Sequence, residues 1–203
     1  PVFQQLDVNE YGLYPGPVDG PPGLHIECRP GLTLVVGANG LGKTTLITLL
    51  FRLLTGPSDI PQLGVGDELG FRRLATSPIP PFQRGIFASR VSNRAVGATA
   101  RIQFMLGATT IVVERRLDTL ALVAAKVGDI EPQDEAAFQA EVAKAAGLGS
   151  FGDFILMLRY LVFYFEDRRA LVWDPSAQRQ LLRMLFLPPD LAQRWTELER
   201  SIL

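Results

Sequence analysis

The sequence predicts an α/β fold with α+β elements: a strand pair and a strand–loop–helix unit come first, and antiparallel strands and helices follow. Three observations support this prediction. The stretch LTLVVGANGLGKTTLITLLFRLL, residues 32–54, joins two apolar runs through a segment with three glycines in six residues. Alternating apolar residues recur in three short stretches of residues 98–127, and helical patterns follow residue 131. This order differs from the continuous strand–helix alternation of a doubly wound sheet.

The first part of the chain is predicted to contain three strands and one helix. Residues 2–8 and 24–28 are predicted to be short strands, separated by a loop rich in glycine and proline. A third strand, buried in the core, is expected at Leu32, Leu34, Val35 and Val36. Residues 43–55 are predicted to form a helix that ends at Gly56-Pro57.

The second part of the chain is predicted to contain three kinds of structure: an irregular insert, an antiparallel meander and helices. Residues 56–97 are predicted to be an irregular insert, because prolines and glycines are scattered through them. Residues 98–127 are predicted to form an antiparallel meander, with turns at Gly107 and Asp118. Helices are predicted in the rest of the chain: one that stops near Gly147, one in the apolar stretch 151–169 that passes into a strand, and one over 175–186.

The composition limits the class of protein. With 203 residues the chain can form one substantial core. A net charge of −1 argues against a protein coated in positive potential. Cys28 is the single cysteine, which excludes an intrachain disulfide and a multi-cysteine metal site. Since neither a membrane-spanning stretch nor a signal peptide is visible, we expect a cytoplasmic protein with no membrane partner.

The glycine-rich segment fits the phosphate-binding pattern G-x-x-x-x-G-K-[ST] at every fixed position. Glycines allow the loop to curl tightly and bring its N–H groups to phosphate oxygens. The following helix N-terminus adds free N–H donors and a positive dipole end. Lys43 is predicted to contact the β- and γ-phosphates, and Thr44 to bind Mg²⁺. The sequence therefore predicts an ATP–Mg²⁺ site at Gly37, Asn39, Gly40, Gly42, Lys43, Thr44 and Thr45.

The stretch GANGLGKTT, with Asn39 before the second glycine and Thr45 after Thr44, resembles the phosphate loop of SMC, SbcC, RecF and RecN-type ATPases. The resemblance implies the N-terminal lobe of an ABC-type ATPase head, whose antiparallel β-subdomain matches the predicted meander. It implies ATP hydrolysis that requires a C-terminal lobe and a second head, most simply in a homodimer. It also implies action on DNA, in chromosome organisation, repair or defence against foreign DNA, and hence a nucleoid-associated protein. Accessory subunits are further candidate partners.

The last segment is predicted to begin a coiled coil. In DLAQRWTELERSIL, Leu191, Trp195, Leu198 and Ile202 are spaced as an a/d seam. The alternative is an amphipathic helix packed on its own domain. We therefore divide the chain into an ATPase lobe, residues 1–187, and an emerging coiled-coil helix, residues 188–203. Because the chain begins at Pro1 and stops inside this helix, we expect it to be part of a longer protein.

Hydrolysis requires residues that are harder to identify. The family's glutamine-containing loop aligns with residues 162–167, where Tyr164 stands at the glutamine position and Glu166 follows. The resemblance assigns Glu166 a catalytic and Mg²⁺-binding role, and the alternative is a surface carboxylate. No convincing acidic strand follows the phosphate loop. Two alternatives therefore stay open: a self-sufficient P-loop NTPase or kinase, and a nucleotide-binding scaffold with little hydrolysis.

A basic segment is a candidate DNA contact. Residues 72–116 hold eight arginines against one acid, Glu114. Arginines on a loop can follow a phosphate backbone, whereas arginines dispersed over several faces are merely solvated. The arginines assigned to DNA are Arg72, Arg73, Arg84, Arg90 and Arg94.

Overall fold

A computed structural model describes residues 1–38, 40–60, 76–165 and 175–188, and residues 190, 191, 194, 195 and 198 of the last segment. The chain forms two compact units. The first comprises Pro1–Pro57 and Pro78–Phe138, and the second comprises Ser58–Ser77 and Gln139–Leu203.

The first unit is built on a five-stranded antiparallel sheet with the order β2-β1-β5-β6-β7. The strands are β1 Val2–Asn9, β2 Gly23–Glu27, β5 Thr99–Leu106, β6 Thr109–Arg116 and β7 Leu122–Val127. β5, β6 and β7 form a meander, and β1 joins it by pairing Leu6 with Ile102. The predicted strand pair and the predicted meander are therefore one continuous sheet.

Alternation along the strands gives this sheet one apolar face. In β5, Ala100, Ile102, Phe104 and Leu106 are buried, while Arg101 between them is exposed. Such a period-2 pattern directs every second side chain to the core. The apolar face is therefore covered by protein, and Arg101 lies on the opposite face.

A row of opposite charges crosses the polar face of the sheet. His25 pairs with Asp7, Asp7 with Arg101, and Arg101 with Glu114 in the strand registers. The side chain of His25 forms a hydrogen bond with Asp7, which raises the pKa of the imidazole above its usual value. Opposite charges at paired positions support the register. The single histidine thus belongs to this row of the sheet.

Helix α1, Lys43–Thr55, packs on β5 and β6. Leu46, Leu49, Leu53 and Leu54 are buried along it. The helix ends at Gly56, which has φ +61° and whose N–H donates to the Arg52 carbonyl at 2.7 Å. Glycine suits this position because side chains disfavour a positive φ. The predicted helix and its predicted stop are both confirmed.

Short elements occupy the described part of the irregular insert. They are β3 Ser58–Asp59, β4 Ser77–Pro78, α2 Pro81–Arg84 and a 3₁₀ turn Ala88–Arg90. β3 and β4 form a separate two-stranded sheet. Arg94 and Ala95 both have φ +55°, a conformation that is unfavourable for residues other than glycine. Their turn is held by the Asn93 side chain, which accepts a hydrogen bond from the Ala95 N–H.

The second unit contains the end of α3 Glu135–Ala145, then α4 Phe151–Met157, a π turn Leu158–Val162 and α5 Pro175–Phe186. Ser150 caps α4 by accepting the Asp153 N–H. Leu156 and Leu181 form a small buried cluster with Ile60, Tyr160 and Met184 packed against it. The predicted helix over 175–186 is confirmed. The helix predicted in the stretch 151–169 is confirmed as far as residue 162, and the backbone becomes extended at Phe163. The strand predicted to follow does not form at the described residues 163–165.

The fold class is confirmed: this is a mixed α/β protein with a five-stranded antiparallel sheet and several helices, as expected of a P-loop ATPase N-terminal lobe. One element was wrongly predicted. Residues 32–38 form no strand, and Leu32, Leu34 and Val36 are 87%, 73% and 86% exposed. An apolar run becomes a strand only beside a pairing strand. In the part of the chain that the structure describes, none pairs with it.

The coiled-coil prediction falls mostly outside the described residues. Leu191, Trp195 and Leu198 are helical and about half exposed, whereas Ile202 lies outside the described part. The division at residues 187 and 188 stays a prediction. Within the described residues, no helix has the length and apolar character needed to cross a membrane.

Candidate phosphate-binding site

The glycine-rich loop lies at the N-terminus of α1. Gly40 and Gly42 have φ +87° and +83°, and Gly42 is the residue at which α1 begins. Only glycine takes this conformation without strain, so these two residues allow the sharp turn into the helix. Asn39, which precedes Gly40, lies outside the described residues. The local structure is that expected of a loop that curls around an anion.

The first turn of α1 points its backbone donors at this loop. No side chain caps the helix, and its first turn contains no acidic residue. The first intrahelical hydrogen bond runs from the Leu46 N–H to the Gly42 carbonyl at 2.8 Å. A helix start of this kind presents N–H donors and a positive dipole end. It therefore favours an anionic ligand such as a phosphate.

The side chain of Lys43 folds back over the loop. Its ammonium donates to the carbonyls of Gly37 and Ala38 at 2.6 and 2.8 Å. Two of its three N–H donors are thus used, which leaves one for a ligand oxygen. The loop therefore holds a positive charge at the place where the helix dipole is also positive.

Two threonines follow the lysine on α1 and differ in exposure. Thr44 is exposed, and its carbonyl accepts a hydrogen bond from the Thr48 hydroxyl. Thr45 is buried. A hydroxyl ligand of Mg²⁺ must reach a bound phosphate, so the exposed Thr44 fits that role. Together the loop, Lys43 and Thr44 fit a nucleotide phosphate with Mg²⁺. In the described residues, no group of three or more His, Cys, Asp or Glu residues is suited to a metal ion.

The loop is supported by an aromatic side chain that the sequence analysis did not identify. The Tyr14 hydroxyl donates to the Gly42 carbonyl at 3.3 Å, and the Tyr14 ring lies edge-on to Tyr11. Burial raises the pKa of Tyr14 to about 12, so its hydroxyl stays protonated and remains a donor. Nothing in the sequence marks Tyr14, because its contact with Gly42 joins residues that are 28 positions apart.

The conformation of Gly42 leads to a stability prediction. Gly42→Ala should destabilise the first unit by about 1–2 kcal/mol, because alanine is strained at φ +83°. Its Cβ would also lie 2.9 Å from a methyl group of Leu13. Urea unfolding followed by circular dichroism measures this loss.

Gly37→Ala is the matched control. A Cβ at Gly37 would meet its nearest neighbour, a Leu41 methyl group, at an ordinary 3.4 Å, and the Gly37 φ lies outside the left-handed region. Its cost should be a few tenths of a kcal/mol at most. Equal losses for the two variants would contradict the described loop geometry.

The other predicted site residues are placed only in part. Glu166, Arg72 and Arg73 lie outside the described residues, and Tyr164 is 72% exposed. Arg84 donates to the Ile79 carbonyl.

Two arginines of the basic segment are engaged within the protein. Arg115 is fully buried and pairs with Glu135 at 2.6 Å, and Arg116 pairs with Asp118. Neither is available to a nucleic acid as a free positive charge. Of the other arginines in the described segment, Arg90 and Arg94 are exposed, and Arg101 is exposed but lies opposite Asp7 and Glu114 in the strand registers.

Comparison with known proteins bears on the segment that contains the loop. A protein-family model described as an AAA domain matches residues 20–100. A search of curated proteins found no match. The matched segment begins before β2 and ends in β5, so it includes the glycine-rich loop and all of α1. Residues 20–100 are thus similar to the AAA domain, a P-loop ATPase family that includes SMC-like proteins, and this similarity indicates nucleotide binding, typically with Mg²⁺.

Proposed function

We propose that the chain is the ATP-binding part of an SMC- or RecN-like ATPase head. It binds ATP–Mg²⁺ at Gly37–Thr45, engages a C-terminal lobe and a second head, and acts on DNA. The observation that carries this proposal is the Lys43 ammonium held over a glycine-rich loop at the uncapped start of α1. This arrangement positions donors and positive charge for the phosphates of a nucleotide.

A phosphate loop alone supplies only part of a hydrolytic site. It orients the phosphates and stabilises their charge, but it provides no group that orients the attacking water. The family resemblance assigns that group to a C-terminal lobe and the opposing head. ATP binding then joins two heads, and hydrolysis releases them.

The segment before the loop supports a partner lobe. Leu32, Leu34 and Val36 are three exposed apolar side chains in a stretch without a pairing strand in the described chain. Exposed apolar groups in an unpaired strand-like segment favour association. We propose that the C-terminal lobe supplies the pairing strand, which would bury this segment and fix the entry to the phosphate loop.

The exposed arginines support a DNA contact. Arg90 and Arg94 lie in the turn region Ala88–Gly97, and both side chains are exposed. Replacing Arg90 by alanine should weaken binding of duplex DNA to a similar extent for every sequence and reduce its salt dependence. A fluorescence titration at several salt concentrations measures this effect. Unchanged affinity and salt slope would remove Arg90 from the proposed contact.

ATPase assays with separated parts test the engagement of two lobes. The 203-residue chain alone should show little turnover. Turnover should appear when the C-terminal lobe is added as a second polypeptide, and it should rise faster than linearly with concentration, since two heads must meet. Robust turnover by the chain alone, independent of concentration, would contradict this reading. It would instead favour a self-sufficient P-loop enzyme.

A further inference from the structure

Arg115 occupies an unusual position for an arginine. Its side chain is fully buried, although charged groups are rarely buried unless they are paired. It lies on β6, within the sheet that supports α1. Its guanidinium contacts three elements that lie far apart in the sequence.

The first contact is with the end of the phosphate-loop helix. Arg115 Nε donates to the Leu53 carbonyl, in the last turn of α1, at 3.0 Å. The guanidinium also lies against Gly56, where an added Cβ would fall 2.7 Å from its carbon and both terminal nitrogens. A cation at this end is favourable because the last carbonyls of a helix carry partial negative charge.

The other contacts hold the guanidinium from the opposite side. Nη1 donates to the Leu120 carbonyl at 3.2 Å, and both terminal nitrogens bind the Glu135 carboxylate, at 2.6 and 3.0 Å. The centre of the Phe138 ring lies 5.2 Å from the guanidinium carbon. The bidentate pair of Arg115 with Glu135 fixes the orientation of the guanidinium and balances its charge. Arg115 therefore ties the end of α1 to the β6–β7 turn and to the start of α3.

The phosphate loop depends on α1 for its position. On its N-terminal side, residues 32–38 are without strand pairing in the described chain. On its C-terminal side, Gly42 is continuous with α1 and is contacted by Tyr14. The helix is about 20 Å long at 1.5 Å per residue, and a packed helix moves as a rigid element. Restraining its far end therefore restrains the loop.

We propose that Arg115 is a positioning residue for the phosphate site: by clamping the last turn of α1 to Glu135 and Leu120, it fixes the helix start that receives the nucleotide phosphates. This inference rests on the proposed nucleotide site, but the clamp itself is tested without a nucleotide. Arg115 contacts no phosphate, so its effect is exerted entirely through α1.

The test compares variants of the 203-residue chain at a temperature where urea titration shows each to be folded. Arg115→Lys keeps the positive charge but loses the paired N–H donors of the planar guanidinium. Glu135→Gln keeps the shape of the partner side chain but loses its negative charge. Val127→Ala is the control, because it removes buried volume from β7 while α1 packs on β5 and β6. Two readouts are measured: hydrogen exchange of the amides of residues 46–49, the first hydrogen-bonded turn of α1, in the free chain, and affinity for a non-hydrolysable ATP analogue with Mg²⁺.

The clamp predicts faster amide exchange at residues 46–49 in Arg115→Lys and Glu135→Gln than in Val127→Ala. It also predicts analogue binding about three- to tenfold weaker than in the wild-type chain. Wild-type-like exchange at these amides in both variants would overturn the proposal and leave Arg115 a purely structural residue. If the wild-type chain together with its C-terminal lobe bound no analogue, the proposed function would fail, and the exchange comparison in the free chain would still decide the clamp.

Discussion

Replacing Lys43 by alanine should abolish ATP turnover by the assembled protein. The lysine ammonium is the positive charge held over the loop, and its loss removes a donor to the phosphates. Loss of one preorganised donor of this kind lowers turnover by on the order of 10²–10³-fold. The fold should be unaffected, because the Lys43 side chain contacts only the two loop carbonyls of Gly37 and Ala38 in the described hydrogen bonds.

Lys126→Ala is the matched control for this variant. Lys126 is an exposed lysine on β7, remote in sequence from the loop. It should retain wild-type turnover. A phosphate-release assay on both variants, with circular dichroism to confirm folding, makes the comparison. If Lys43→Ala hydrolysed ATP at the wild-type rate, the assignment of this loop to the phosphates would be wrong.

Replacing Arg115 by methionine should have the largest effect on stability. The change removes the guanidinium donors that Arg115 gives to the Glu135 carboxylate and to the carbonyls of Leu53 and Leu120. Breaking a buried ion pair on one side destabilises a protein by about 3–5 kcal/mol. Urea unfolding of the purified variant measures the loss.

Two further variants sharpen this prediction. Arg116→Ala removes the next arginine on the same strand, whose pair with Asp118 is exposed, so its cost should be far smaller. Gly56→Ala places a methyl group against the Arg115 guanidinium at φ +61° and should also destabilise. A loss for Arg115→Met no greater than that for Arg116→Ala would contradict the described burial of Arg115.

The local elements of this protein were predictable because their signals are local. The α1 helix is marked by the apolar spacing after Lys43 and by Gly56 at its end. The meander is marked by alternation and by its turn residues. The glycine-rich loop before α1 was predictable for the same reason, since all its residues lie within one short stretch.

Features that depend on distant partners were not predictable. The pairing of β1 with β5 joins residues that are at least 90 positions apart. No pattern in either strand indicates which strand it will pair with. Arg115 was counted with the basic segment, because its sequence neighbours give no sign of Leu53, 62 residues away. The apolar run at residues 32–36 shows that these side chains favour burial, but not which strand would bury them.

The central claim is that the loop at Gly37–Thr45 binds ATP–Mg²⁺, and thermal unfolding with and without nucleotide tests it most directly. A ligand at about 100 times its dissociation constant stabilises the folded state by about 2.7 kcal/mol. We expect ATP or a non-hydrolysable analogue with Mg²⁺ to raise the unfolding temperature of the wild-type protein together with its C-terminal lobe, and not that of Lys43→Ala. An unchanged unfolding temperature for the wild-type protein at saturating nucleotide, or an equal rise in both proteins, would contradict the claim.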